Sequence, residues 1–368
     1  MKTRFLKIMA FGFLVVSFVA LSAQTAFATS YWENSSLPPQ FCFQNFNAYG
    51  PLYASGRTER TQGILGHLKA RPKCDIVQLQ EVWMESHIDH IENSLKDHYS
   101  FSSPNRDSRI GIMDLVMGDI LSRETFTFAV NNSGSVLDRA RSVASVDKAF
   151  HVLRVKLPAI DEEFYIINTH LHPSSQAVRL TQILDLLRWR LQNQNLKMLL
   201  SGDFNSDPQD LERKLLMSVV GLKDAMAESF TNGNYPADFC TYCKANPLSW
   251  LPSDHVFDYI FYSNAGTAET SLKLASAEVN LKGSPKKPLS DHYGIRAYFN
   301  VENGKAPAGE LDQVQKKLAL EALKQTIEVL DKESGAQWKV HQKLARDLYS
   351  DLERSRSDFE LYLGHSLR

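Results

Sequence analysis

The chain has 368 residues, 43% of them hydrophobic and 23% charged, with 41 basic and 42 acidic side chains for a formal net charge of −1. This composition excludes a disordered or fibrous protein, and the length suffices for one large domain or two modest ones. A protein whose main business is gripping a phosphate backbone carries a basic surplus; this one does not, so nucleic acid is the less favoured partner.

At the N-terminus, Lys2, Arg4 and Lys7 precede the apolar run "IMAFGFLVVSFVALSA", and "AFA" closes it with small residues at alternate positions. That layout predicts a signal peptide over residues 1–28, cleaved after Ala28, and a secreted or periplasmic mature chain. The short apolar core and the small-residue site disfavour an uncleaved anchor. Removing the leader takes away three basic and no acidic side chains and leaves −4.

Further along, "FCFQNFNAY" (41–49), "DIVQLQ" (75–80), "EFYIINTHL" (163–171), "LKMLLSGDF" (196–204), "VFDYIFY" (256–262) and "YGIRAYFNV" (293–301) read as strands. Several are apolar on both parities, as when both faces of a sheet are covered. Between them, 57–70, 81–95, 176–193 and 207–221 read as helices; in the third, Val178, Leu180, Ile183, Leu184, Leu187 and Leu191 form one face. Strands and helices mixed in this order predict a layered α/β domain over 30–302. The Gly, Ala and Pro-rich stretch 301–309 ends it. Residues 310–333 then predict an amphipathic helix through Leu320, Leu323, Ile327 and Leu330, broken at Gly335. A second helix follows, with Val340, Leu344, Leu348 and Leu352 near one stripe. A hairpin packed on the main domain is the expectation for this C-terminal extension, 310–368. A membrane- or partner-binding appendage is the alternative.

The four cysteines are Cys42, Cys74, Cys240 and Cys243. The pair in "CTYC" lacks the second pair that a zinc site needs, so a local disulfide is expected. Cys42 and Cys74 lie in or beside apolar runs, where buried free thiols and a bridge both stand open.

The segment "SGDFNSDP" leaves a buried strand through two carboxylates and an amide. Asp207 before Pro208 reads as a helix N-cap. Asp203 and Asn205 have no such structural role and share a side. Other strand ends carry similar groups: Glu81 after "QLQ"; Asn168, His170 and His172 on one parity of "IINTHLHP"; Asp258 in "FDYIF"; Asp291 and His292 in "LSDHYGI". Hard oxygen ligands and imidazoles at strand ends are how a rigid scaffold presents reactive groups to a cleft.

Taken together, "FNAYGP", "QLQEVW", "NTHLHP", "GDFNSDP", "FDYIF" and "SDHYGI" resemble the endonuclease/exonuclease/phosphatase superfamily. The resemblance implies a four-layer αββα sandwich, DNase I-like, and Mg²⁺-dependent hydrolysis of a phosphate ester. A phosphoryl centre needs a cation to offset its charge; Mg²⁺ prefers carboxylates and water, and Mn²⁺ accepts the same oxygen ligands. By resemblance, Glu81 is the principal metal ligand, with Asn47 and Asp291 close to the ion. His292 accepts a proton from the attacking water and Asp258 orients it. Asp203 and Asn205 position the nucleophile and bind the phosphate, while His170 hydrogen-bonds the phosphate or protonates the leaving oxygen. Asn47 is chosen over Asn45 because Ala-Tyr-Gly follows it, and "NTHL" selects His170 over His172, which borders the cleft.

Within the superfamily, "DKAFHVLRV" with Lys148 and "FCTYCKANPLSW" with Thr241 and Asn246 look like the neutral sphingomyelinase branch. Those phospholipase C-like enzymes cut sphingomyelin to ceramide and phosphocholine. The implied partner is a phospholipid or sphingolipid at a membrane surface, and Trp250 and Leu251 either enter a lipid interface or pack over the site loop. The long aromatic hairpin of secreted bacterial sphingomyelinases is not found, and the helical tail lies outside the shared domain. A DNase-type nuclease and an inositol-phosphate phosphatase are the enzyme alternatives. A binding module using the helical tail is a third, against which the presence of both His170 and His292 argues. Oligomeric state is not legible in the sequence.

Overall fold

The computed structural model describes residues 38–354, apart from 51–53, 71–72, 107–109, 133–146, 159, 161–162, 265–268 and 305–312. The expected leader and its cleavage site lie outside the described residues, as does the end of the chain from 355. Among the described residues no helix is long and apolar enough to cross a membrane.

Two six-stranded sheets form the centre. In the first the order is β11 (Thr270–Asn280), β12 (Gly294–Asn303), β1 (Gln40–Asn47), β2 (Ile76–Gln80), β4 (Met113–Val116) and β3 (Ser100–Ser102). In the second it is β5 (Asp119–Thr127), β6 (Ala149–Lys156), β7 (Glu163–His170), β8 (Met198–Asp203), β10 (Asp258–Ser263) and β9 (Lys223–Asp224). β1 with β2, and β7 with β8, are parallel pairs, each joined through a helix; the other ladders are antiparallel.

Side chains alternate across a strand, and here both parities are used. Outward from the first sheet, Phe46, Val77 and Leu79 meet Ile64, Leu65 and Leu68 of α1 (Arg57–Lys69) and Ile88, Ile91 and Leu95 of α2 (Glu85–Leu95). Outward from the second, Ile167, Leu200 and Phe261 meet Leu180, Ile183 and Leu187 of α3 (Gln176–Gln192) and Leu215 of α4 (Leu211–Val219). Inward, Phe41, Phe43, Phe164, Ile166, Leu199, Ile260 and Phe299 fill the space between the sheets, beside the short α5 (Ala225–Glu228). The result is the expected αββα sandwich.

α6 (Gln313–Leu330) and α7 (Ala336–Arg354) form the expected hairpin, which packs on the helices of the second sheet. Ala319, Leu323, Leu330, Trp338, Leu344 and Leu348 join the same apolar cluster as α3 and α4. His341 Nε2 meets Asp185 Oδ1 at 2.9 Å. Val340 does not join the stripe and is 62% exposed. The buried line steps through 338, 341, 345, 348 and 352, at helical spacings of three and four, and position 340 falls beside it.

Other expectations are corrected. The helix predicted from 81 starts at Glu85, because Glu81 has φ of 59° and 81–84 do not form helix. Asp207 caps no helix: α4 starts at Leu211, after the N-cap position Asp210. The Asp207 carboxylate instead meets His255 Nδ1 at 2.7 Å and accepts from Val256 N at 3.0 Å. Cys240 and Cys243 are bridged as expected, and the open question at Cys42 and Cys74 resolves as a second disulfide.

Candidate active site

Strand register builds the site. His170, Asp203 and Asp258 are direct neighbours across β7, β8 and β10 at one edge of the sheet, where β7 and β8 end and the antiparallel β10 begins. In the facing sheet Asn47 ends β1 opposite Gln80, so Glu81 follows at the same edge, and Asp291 and His292 immediately precede β12, the other neighbour of β1. Two glycines permit close approach. A Cβ at Gly50 would lie 2.0 Å from Glu81 O, and one at Gly202 would lie 2.0 Å from Thr169 O. Glu81, Tyr49 and Asn205 all hold positive φ near this edge. Asn tolerates that region; Glu and Tyr hold it at a cost of about 1–3 kcal/mol, as at other functional sites.

The side chains converge. Asn47 Nδ2 donates to Glu81 Oε1 at 3.2 Å and to Asp203 Oδ2 at 2.9 Å, while its Oδ1 accepts from Tyr49 N at 2.9 Å. His170 Nε2 lies 3.4 Å from Asp203 Oδ2 and 3.9 Å from Glu81 Oε1. His292 Nδ1 meets Asp258 Oδ2 at 2.8 Å, and its Nε2 lies 3.6 Å from Asp203 Oδ2. Asp203 Oδ1 accepts from Asn205 N at 2.9 Å, and Asn205 turns its amide to Leu171 O at 3.1 Å. Ser290 Oγ donates to Asp291 Oδ1 at 3.2 Å. All eight residues singled out in the sequence therefore sit at one edge. Asn45, set aside there, lies deeper and donates to Gly202 O at 3.3 Å. His172 Nδ1 accepts from Ser174 N and Ser175 N at the start of α3.

The two imidazoles are driven to opposite states. Burial lowers His170 well below its ordinary value, and the positive groups Lys148, His292 and His172 add to this. Burial would also lower His292, but Asp258 and Asp203 outweigh it and raise the ring well above the usual range. Burial raises Asp203 to about 6, with His292 opposing, and raises Asp291 to about 7, with His292 opposing and Glu81 reinforcing.

The sequence ties Lys148 only to the sphingomyelinase branch, yet it is buried here and its charge interacts with Glu81 and Asp203. Desolvation lowers it to about 8 against those two carboxylates. A lysine before a strand gives no sign of pointing inward, so the sequence carried no stronger signal. Thr241 and Asn246 brace the site. Thr241 Oγ1 accepts from Phe257 N and Asp258 N, Asn246 Nδ2 donates to Ser290 O at 2.8 Å, and the Tyr242 ring meets His292 edge-on at 5.0 Å.

Among the described residues no three or more His, Cys, Asp or Glu side chains form a ready metal cage. The donor set nevertheless suits a hard divalent cation. Glu81 and Asp291 oppose each other electrostatically, Asp291 is forced toward neutrality, and Asp258 Oδ1 has no hydrogen-bond partner among the described residues. Mg²⁺ is commonly held by one or two carboxylates, with water and substrate phosphate completing its shell, rather than by an all-protein cage.

The profile of the Endonuclease/Exonuclease/phosphatase family matches residues 45–292. The chain is 24% identical over 275 residues to Sphingomyelin phosphodiesterase 2 of Mus musculus, covering 70% of this chain and 65% of that relative. Thus it spans about two thirds of that curated relative's length. The crystal structure of D. rerio TDP2 complexed with single strand DNA product superposes with a TM-score of 0.55 at 20% identity, over 71% of this chain and 99% of that one. Sphingomyelinase C from Streptomyces griseocarneus gives 0.51 at 18% identity, again over 71% and 99%.

Proposed function

Because the chain belongs to the endonuclease/exonuclease/phosphatase family, we propose that it is a metal-dependent phosphodiesterase that removes the head group of a phospholipid, sphingomyelin first among them. The observation that carries hydrolysis is the meeting of His292, Asp258, Asp203 and His170 beside Glu81 and Asp291 at one sheet edge. The sphingomyelin phosphodiesterase relatives and the lack of a basic surplus in the chain favour the lipid over DNA. A leader cleaved after Ala28 would place this activity outside the cytoplasm.

Glu81, Asp291 and the Asn47 amide would hold Mg²⁺, or Mn²⁺ through the same oxygens. When bound, the ion would offset charge on the phosphoryl oxygens. In its neutral form His292 takes a proton from the attacking water through Nε2. Asp258 fixes the ring through Nδ1 and, with Asp203, stabilises the imidazolium that forms. Asp203 and Asn205 position the water and the phosphate. The neutral state of His170 gives it one N–H to donate and no labile proton to release. That favours hydrogen bonding to the phosphate over protonating the leaving oxygen. The Lys148 ammonium adds positive charge beside Glu81 and Asp203.

The test offers the protein sphingomyelin vesicles, phosphatidylcholine vesicles and single-stranded DNA, each with Mg²⁺ or EDTA, with His292→Ala alongside. The expected result is Mg²⁺-dependent phosphocholine release from sphingomyelin, reduced about 10²–10⁴-fold in the variant. Cleavage of DNA alone would replace the lipid with the nuclease reading, for which the likeness to D. rerio TDP2 is the supporting observation.

A further inference from the structure

Two loops border the catalytic edge, and both are braced while exposing large apolar or charged groups to solvent. In the first, the Cys240–Cys243 bridge is followed by turns in which Asn246 N donates to Cys243 O and Ser249 N to Asn246 O. Trp250 N then donates to Tyr242 Oη at 3.0 Å. This fixes the backbone beneath Trp250, yet the residue is 74% exposed, the most exposed of the large hydrophobic residues described. Leu251 beside it is half-buried, so of the pair named in the sequence only the indole emerges. Trp189 and Trp338, by contrast, are buried in the core.

The second loop, 281–289, joins β11 to β12 and turns through Ser284 and Lys287. It exposes Lys282, Lys286 and Lys287, none of which has a carboxylate within ion-pair distance among the described residues. Lys282 Nζ lies over the Tyr293 ring at 5.6 Å. Lys244 of the first loop differs, because Asp254 pairs with it at 3.4 Å. All three fall within residues 282–287, on a chain of net charge −1.

The loops are bonded to each other at their bases, by Asn246 Nδ2 to Ser290 O and by Tyr293 N to Thr241 O at 2.7 Å. Tyr242, which holds the Trp250 backbone, also packs against His292. The bases of both loops therefore adjoin the catalytic edge, and the exposed groups are carried on the loops that rise from it.

We infer that this rim is a docking surface for a phospholipid bilayer, with Trp250 entering the head-group layer and Lys282, Lys286 and Lys287 meeting its anionic lipids. The inference rests on the lipid reading of the site. An indole has an apolar body with one polar N–H and favours the interface between water and hydrocarbon. Each lysine near an anionic surface strengthens binding about 5-fold, so three together contribute about 10²-fold. Single-stranded nucleic acid also binds aromatic and basic groups, but through a charged groove that tracks its backbone. Three lysines on one loop of a chain with no basic surplus suit a flat anionic surface better.

The experiment is co-sedimentation of the full chain with vesicles of phosphatidylcholine alone or with phosphatidylserine added, with binding to single-stranded DNA read in parallel. EDTA is present so that binding is read without turnover. Wild type is compared with Trp250→Ala and with Lys282→Glu/Lys286→Glu/Lys287→Glu, and thermal unfolding confirms that each folds. Wild type should bind the anionic vesicles about 10²-fold more tightly than the zwitterionic ones. The triple variant should lose that preference, and Trp250→Ala should lose about 10-fold on both. Variants that bind like wild type, a wild type that binds neither vesicle, or variants that lose only single-stranded DNA would each overturn the docking surface. Vesicle binding as expected with no head-group release in Mg²⁺ would sink the lipid-hydrolase reading and leave the surface standing.

Discussion

The space between the two sheets has two ends that differ in chemistry, and the change runs along single strands. On the inward parity β1 reads Phe41, Phe43, Asn45, Asn47, β7 reads Phe164, Ile166, Asn168, His170, and β8 reads Leu199, Ser201, Asp203. β2 follows with Ile76, Gln78, Gln80, and β10, running the other way, with Asp258, Ile260, Tyr262. At the apolar end the Phe41 ring packs 5.4 Å from Phe164 and 5.5 Å from Phe299, contacts that ask only for volume and shape. At the other end each buried donor needs an acceptor, within its own sheet or across the gap. Gln80 Nε2 donates to Asn45 Oδ1 at 2.8 Å and to Asn168 Oδ1 at 2.7 Å. Ser201 Oγ donates to Asn45 Oδ1 at 3.0 Å. The apolar end stabilises; the polar end fixes how one sheet sits on the other, and so where Glu81 stands relative to Asp203 and His170.

The contrast breaks most sharply at the proposed catalytic edge. Asp258→Asn should lower kcat by about 10³–10⁴-fold, equivalent to about 4–5.5 kcal/mol, while leaving the unfolding midpoint close to wild type. Its pH profile carries a sign. Burial lowers His292, and Asp258 and Asp203 raise it by more. The proposed base, His292, acts in its neutral form, so activity should be lost on the acid side, and removing the Asp258 charge should shift that acid limb to lower pH. Steady-state rates across pH with saturating metal read both effects; a loss within tenfold and an unmoved limb would remove Asp258 from the role given to it. At the apolar end the expectation reverses. Phe299 is fully buried, stacks on Phe41 and meets Tyr262 at 5.0 Å, so Phe299→Ala should cost about 3–5 kcal/mol in denaturant unfolding. Its kcat per folded molecule should stay at wild type, and a loss of kcat matching the loss of stability would show the two ends to be coupled.

That contrast is also why the site was legible in the sequence. A polar residue ending an apolar run breaks a one-face pattern, and Glu81, His170, Asp203 and Asp258 each do so. β5 and β11 were not anticipated, because they are edge strands with several exposed polar positions, "DILSRETFT" and "TSLKLASAEVN", and lack an apolar run. Asp207 misled for a different reason. Its partners His255 and Val256 lie 48 and 49 residues away, whereas a cap reading uses only neighbours in the chain. Lys148 shares that difficulty, since burial of an ammonium beside Glu81 and Asp203 is a property of the assembled sheets.

The smallest effect is expected where the polar end meets the apolar one, at Asp114 on β4, two residues before the inward-facing Val116. Asp114 is fully buried, and its Oδ1 accepts from Gln78 Nε2 at 2.8 Å and Asn168 Nδ2 at 3.1 Å. Oδ2 has no hydrogen-bond partner among the described residues and lies 4.0 Å from His151 Nε2. Burial raises Asp114 to about 7 against those two amide bonds, and burial lowers His151 to about 4. A carboxyl whose folded value lies above its unfolded value, about 3.9, contributes stability that is complete below that value and is lost as pH rises through about 7. Asp114→Asn keeps the Oδ1 acceptor and removes the charge. Relative to wild type it should therefore gain about 1 kcal/mol between about pH 6 and pH 8, as read by urea unfolding. His151 is common to both proteins, so its opposite dependence, destabilising as pH falls from about 6.5 toward 4, cancels in the difference. If the proton instead resides on His151 as an ion pair with Asp114, the amide would strand a buried imidazolium, and the variant would be less stable than wild type throughout that range.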